Sequence, residues 1–63
     1  MSKVSIVITV RNEARHIRHL LDSLVPQQSV REVILVDAMS TDGTADIAQE
    51  YQARLPLRIV RQA

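Results

Sequence analysis

The sequence predicts an α/β fold, a β-α-β-α-β unit that forms half of a doubly wound parallel sheet. Three observations carry this. Val4-Ser5-Ile6-Val7-Ile8-Thr9-Val10 is a β-rich run, and a stretch with helical periodicity separates it from a second one, Val33-Ile34-Leu35-Val36. That second run is wholly apolar and mostly β-branched, as suits a strand buried on both faces of a parallel sheet. It ends on an acid, Asp37, followed by Ser40-Thr41-Asp42-Gly43-Thr44, the chemistry of a turn and a helix start. Strand, acid, turn and helix together place Asp37 at the carboxyl end of a parallel strand. Open α/β sheets bind their ligands there.

Taken in order, residues 4–10 are strand one, expected near the middle of the sheet. Arg11 leaves the strand, and Asn12 is a suitable N-cap for the helix that follows. From Glu13 to Leu24, the residues Ile17, Leu20, Leu21 and Leu24 fall at i, i+3, i+4 and i+7, one apolar helical face. The other face carries Arg15, His16, Arg18, His19 and Asp22. Pro26 disfavours helix at Val25 and ends the element. Residues 27–30 are a polar connection and residues 32–37 are strand two. Helix two starts near Asp42 to Thr44, capped by Ser40 or Thr41, and runs to about Ala53, with Ala45, Ile47, Ala48 and Tyr51 as its apolar face. Pro56 punctuates, and residues 57–61 make a third strand. The expected strand order is three-two-one, with right-handed crossovers. Strand one then keeps an unpaired edge, a surface for self-association.

Sixty-three residues make one small domain, spanning 1–63. The absence of cysteine rules out disulfides and thiolate metal sites. Eight basic against seven acidic residues, with Tyr51 the only aromatic, give neither the field nor the stacking platform of a nucleic-acid binder. No apolar run approaches the ~20 residues that cross a bilayer, and no signal-peptide pattern opens the chain. The expected location is cytoplasmic.

Two loops converge at the carboxyl edge of the sheet, Thr9-Val10-Arg11-Asn12-Glu13 and Asp37 to Thr44. Asp37 is expected to face a cleft that Arg11 and Asn12 line from the other side, where it could accept a hydrogen bond from a base N–H or ribose hydroxyls. Arg11 could clamp a phosphate or stack on a base. Glu13 also complements a helix dipole. The cluster from Ser40 to Thr44 satisfies orphan amides, with Gly43 permitting an unusual backbone angle. His16 and His19 lie on a solvated helix face among arginines. The loop after strand one has no glycine, which argues against NAD and FAD, and no Walker A loop is present.

Four pieces, in order, then resemble the start of a family 2 glycosyltransferase over residues 3 to about 52. They are Val4-Ser5-Ile6-Val7-Ile8; Arg11-Asn12-Glu13; Leu21-x-Ser23-Leu24-x-x-Gln27; and Glu32-Val33-Ile34-Leu35-Val36-Asp37-x-x-Ser40-Thr41-Asp42-Gly43-Thr44. The resemblance implies the Rossmann-like half of a GT-A nucleotide-diphospho-sugar transferase domain. The implied reaction transfers a sugar from a nucleotide diphosphate sugar, expected to be UDP-linked, to an acceptor with inversion. It further implies that Asp37 binds the base through its ring N–H and that Thr9, Val10 and Arg11 hold the nucleoside, with Asn12 and Glu13 in the same loop. Thr9 and Arg11 stand where the family often has proline and tyrosine, and Ala38 stands where many members have a second acid. The family's Asp-x-Asp motif, which holds a divalent metal (Mn or Mg), and its catalytic base lie further along than residue 63. No catalytic residue and no metal ligand is therefore expected here, and the chain alone should be catalytically silent. The whole enzyme would work in the cytoplasm or at the cytoplasmic face of a membrane. Two alternatives are a non-catalytic βαβ fragment and a phosphoacceptor receiver domain. A receiver, however, needs an acidic pair after strand one and an aspartate after strand three.

Overall fold

The computed structural model describes residues 3–62. The elements are β1 (Val4–Val10), α1 (Ala14–Leu24), β2 (Val30–Ala38), α2 (Thr44–Gln49), a 3₁₀ turn (Glu50–Ala53) and β3 (Leu57–Gln62). All strand pairs are parallel, in the order β1-β2-β3, so the expected three-two-one arrangement is the one formed. Within the described sheet β2 is central and β1 lies at an edge, not in the middle. Val7 of β1 is 65% exposed.

Alternation along β2 shows how the sheet is covered. Val33, Leu35 and Asp37 are buried, while Ile34, Val36 and Ala38 between them are only half-buried. A strand buried equally on both faces would not alternate. The run of apolar residues in β2 therefore hides a one-sided burial that its composition does not reveal. Both helices cover the same face. Ile17 and Leu21 of α1, Ala48 of α2 and Tyr51 of the 3₁₀ turn share one core with Val10, Val33, Leu35, Leu55 and Leu57. Ile8 and Ile59 pack against that core from the flanking strands.

The first helix begins one residue later than its periodicity suggests, at Ala14. Val25 still closes it, donating its amide to the Leu21 carbonyl at 3.2 Å before Pro26. The second helical stretch does reach Ala53, but only six residues are α-helical before it tightens into the 3₁₀ turn. Tyr51 sits in that turn and is buried to 1% exposure. Its hydroxyl donates to Asp22 Oδ1 at 2.7 Å and lies 3.2 Å from the Arg18 carbonyl, so the turn is fastened to α1. Burial, and then the bond to the Asp22 carboxylate, hold the Tyr51 phenol above its ordinary pKa. Arg54 lies over the ring, 4.5 Å from its centroid.

Leu21, with no exposed surface, is the centre of the contact between α1 and the sheet. Leu21→Ala is expected to cost about 2–5 kcal/mol in urea unfolding, a large share of what so small a domain has. Val7→Thr, on the uncovered face, is expected to change stability by no more than about 0.5 kcal/mol. Equal effects at the two positions would contradict the one-sided core.

Candidate functional site

The loops that follow β1 and β2 meet at the carboxyl edge because β1 and β2 are neighbours in register, with Val10 opposite Asp37. What joins them is a set of hydrogen bonds between the amides at the start of α1 and side chains some thirty residues away. The Asn12 amide donates to Ser40 Oγ at 2.8 Å, the Glu13 amide to Thr44 Oγ1 at 2.9 Å, and the Ala14 amide to Asp42 Oδ2 at 3.1 Å. In return the Thr41 amide donates to Asn12 Oδ1 at 2.8 Å. Asp42 Oδ1 accepts the Thr44 hydroxyl, and also the Thr44 amide at 3.1 Å.

This corrects the two capping assignments. Asn12 does not cap α1. It adopts a left-handed backbone, φ 52°, and its side chain crosses to the second loop. Glu13 holds the N-cap position and makes no side-chain capping bond. Ser40 and Thr41 do not cap α2 either. Gly43, at φ 86°, is the residue before it. The hydroxyls and the acid of that loop instead serve the other helix. A sequence gives capping chemistry but not its address, because local spacing cannot show a partner 28 to 31 positions away.

Asp37 is the second correction. Its carboxylate does not face an open cleft, since its exposure is 0%. Oδ1 accepts the Ser40 amide at 3.1 Å, and Oδ2 is buried without a hydrogen-bond partner. The nearest cation is Arg61, directly across the β2–β3 register, with Nε 3.6 Å from Oδ2. The Arg61 side chain is itself 65% exposed. It was missed among the candidate residues. Extending β3 by one residue and counting the parallel register from Leu57 opposite Val33 would have found it.

Thr9, Arg11 and Asn12 are exposed, Glu13 is half-buried and Val10 belongs to the core. Thr9, Val10 and Glu13 line a groove of about 220 Å³ on the β1 edge with Ile17 and Leu20. Glu13 Oε2 lies 3.3 Å from His16 Nδ1 at its rim. On the other side of the stitched loops, Met39, Ser40, Thr41, Arg61 and Gln62 enclose a cleft of about 380 Å³. Arg61, Ser40 and Thr41 also border a polar cleft of about 220 Å³ beside Gly43 and Thr44. Asp37 thus lies beneath Ser40 and Arg61, the residues that wall both clefts. Among the described residues, no three His, Asp or Glu side chains converge as a metal site requires, so no metal-assisted step is assigned to them.

A parallel βαβ sheet with a buried, half-satisfied carboxylate at the carboxyl end of its central strand defines a ligand-binding α/β unit. Residues 5–63 match the model of the family described as "Glycosyl transferase family 2", and the chain belongs to that family. The chain is also 44% identical over 50 residues to 4,4'-diaponeurosporenoate glycosyltransferase of Staphylococcus aureus strain USA300. The aligned part is 79% of this chain and 13% of that enzyme. The enzymes of strains N315 and COL align identically, at 44% over the same shares. The chain therefore spans about an eighth of the length of the curated relatives it matches. The phosphoacceptor alternative falls away with this membership.

Two outcomes check the stitched loops. Asn12→Gly keeps the left-handed backbone but loses the acceptor for Thr41, whereas Asn12→Ala loses both. Asn12→Ala is expected to be the less stable by about 1 kcal/mol in urea unfolding. Equal stabilities would show that the backbone angle carries no cost. The Asp42 carboxyl is held below its ordinary pKa, first by the Thr44 hydroxyl, then by the Ala14 and Thr44 amides against partial desolvation. A depressed folded value means this contribution is complete above the unfolded value of about 3.9 and is lost as the pH falls through the folded one. The wild-type melting temperature should therefore fall more steeply below about pH 4.5 than that of Asp42→Asn. Parallel curves would remove Asp42 from the account.

Proposed function

We propose that the chain is the nucleoside-binding part of a glycosyltransferase that takes its sugar from a nucleotide diphosphate donor, UDP-linked, and passes it to an acceptor with inversion. The observation that carries this is the buried Asp37 Oδ2, left without a hydrogen-bond partner at the carboxyl end of the central strand. A buried acceptor without a donor is costly, and a base N–H at this position would satisfy it. Family membership supplies the substrate class. The sugar is transferred to a carotenoid acid in the staphylococcal relatives, as their name records, and the acceptor of this protein stays open.

In this reading Thr9, Val10 and Arg11 hold the nucleoside. Asn12 and Glu13 fix that loop against the second one, through the bonds to Thr41 and Thr44. The chain supplies no group for the transfer itself and is inactive alone. A divalent cation, Mn or Mg, and the catalytic base come from elsewhere in the whole enzyme, which works in the cytoplasm or at a membrane's cytoplasmic face. No helix among the described residues is long and apolar enough to cross a membrane. The exposed edge of β1 supports self-association of the isolated chain.

The test is titration of the ¹⁵N-labelled chain with UDP, with and without Mn²⁺, followed by amide shifts. The expected result is a response confined to residues 9–13 and 37–40, abolished in Asp37→Ala and indifferent to Mn²⁺. A well-dispersed spectrum in which no amide moves would leave a folded βαβ unit without a ligand and would sink the proposal.

A further inference from the structure

We infer that the base of the nucleotide lies in the cleft between Met39 and Arg61, stacked on those two side chains and not on Arg11. The inference rests on the nucleoside-binding reading and names where within the site the planar ring sits.

The cleft has a volume of about 380 Å³, within the range of small-molecule sites, and is lined by Met39, Ser40, Thr41, Arg61 and Gln62. Two of these side chains suit the face of a planar ring. A guanidinium stacks on aromatic planes, and a thioether makes favourable contacts with them. Both are available, Met39 being 62% exposed and Arg61 65% exposed. Nothing else on the chain offers this, since the single aromatic, Tyr51, is buried in the core.

Met39 carries a second observation. It adopts a left-handed backbone, φ 60°, without being glycine, asparagine or aspartate. A long, unbranched apolar residue held there is strained, and such strain persists at ligand sites where the side chain is wanted. Its amide donates to the Asp37 carbonyl at 3.1 Å, so the strained residue is anchored to the strand end that carries the unsatisfied carboxylate. Arg61 faces that carboxylate at 3.6 Å, too far for a hydrogen bond, and its guanidinium keeps its donors for other groups. Arg11, by contrast, lines none of the three clefts described above.

The experiment uses the 63-residue chain labelled at the methionine methyl group, with uridine as the probe. The Met39 methyl signal is assigned by its disappearance in Met39→Gly. The expected result is an intermolecular Overhauser effect between the Met39 methyl and the H5 and H6 protons of uracil. Met39→Gly, which relieves the backbone strain, is expected to keep or raise the melting temperature while weakening uridine binding about tenfold. A purely structural role could not give those opposite signs. If the amides of residues 37–40 respond to uridine while the Met39 methyl does not, and Met39→Gly binds as well as wild type, the inference is overturned and the nucleoside reading survives. If no amide responds to uridine or UDP, both fall together.

Discussion

The structure depends on where the amides at the start of α1 find their acceptors. A helix begins with N–H groups that have no partner inside it. Here three successive ones, of Asn12, Glu13 and Ala14, are met by Ser40, Thr44 and Asp42 of the loop after β2. The two loops are thus one rigid edge. That rigidity lets a non-glycine residue, Asn12, hold a left-handed angle and lets Thr41 be fixed by its side chain. It also seats the Ser40 amide on Asp37. Remove the stitching, and both the first helix and the carboxyl edge of the sheet lose their definition.

Packing places this edge but does not shape it. The core lies between the two helices and one face of the sheet, with Leu21, Val33 and Leu35 fully enclosed. It sets the strand order and the register that bring Val10, Asp37 and Arg61 level with one another. Polar chemistry then decides what the edge is: a buried acid half-satisfied from within, and an exposed arginine and methionine outside it. The division of labour is that of α/β domains generally, in which a rigid scaffold presents functional loops.

Much of the fold was legible because it rests on periodicity. Val4 to Val10, the helical stripe of Ile17, Leu21 and Leu24, and the apolar run from Val33 to Val36 give strand, helix and strand with little ambiguity. The family was legible too, because four separated pieces agree in order. The site was legible only in outline. Asp37 could be placed at a strand end, yet its complete burial could not be foreseen, since Val33 to Val36 look equally apolar on both faces. Asn12 and Ser40 carry the right atoms for local caps, and nothing in their spacing says that each serves the other loop. Arg61 and Met39 have no local signature. One owes its place to the register of β3 and the other to a backbone angle.

The sequence distance spanned by these capping bonds has a consequence for how the chain acquires its structure. The donors and acceptors are 28 to 31 residues apart. The first turn of α1 therefore cannot be completed until β2 has formed and aligned beside β1. An eleven-residue helix is marginal by itself, so α1 should gain its N-terminal order late, together with parallel strand pairing, which must first overcome the entropy of closing a long loop. Local and distant structure then appear in one cooperative step, and a population with α1 complete but the sheet unpaired has little to hold it together.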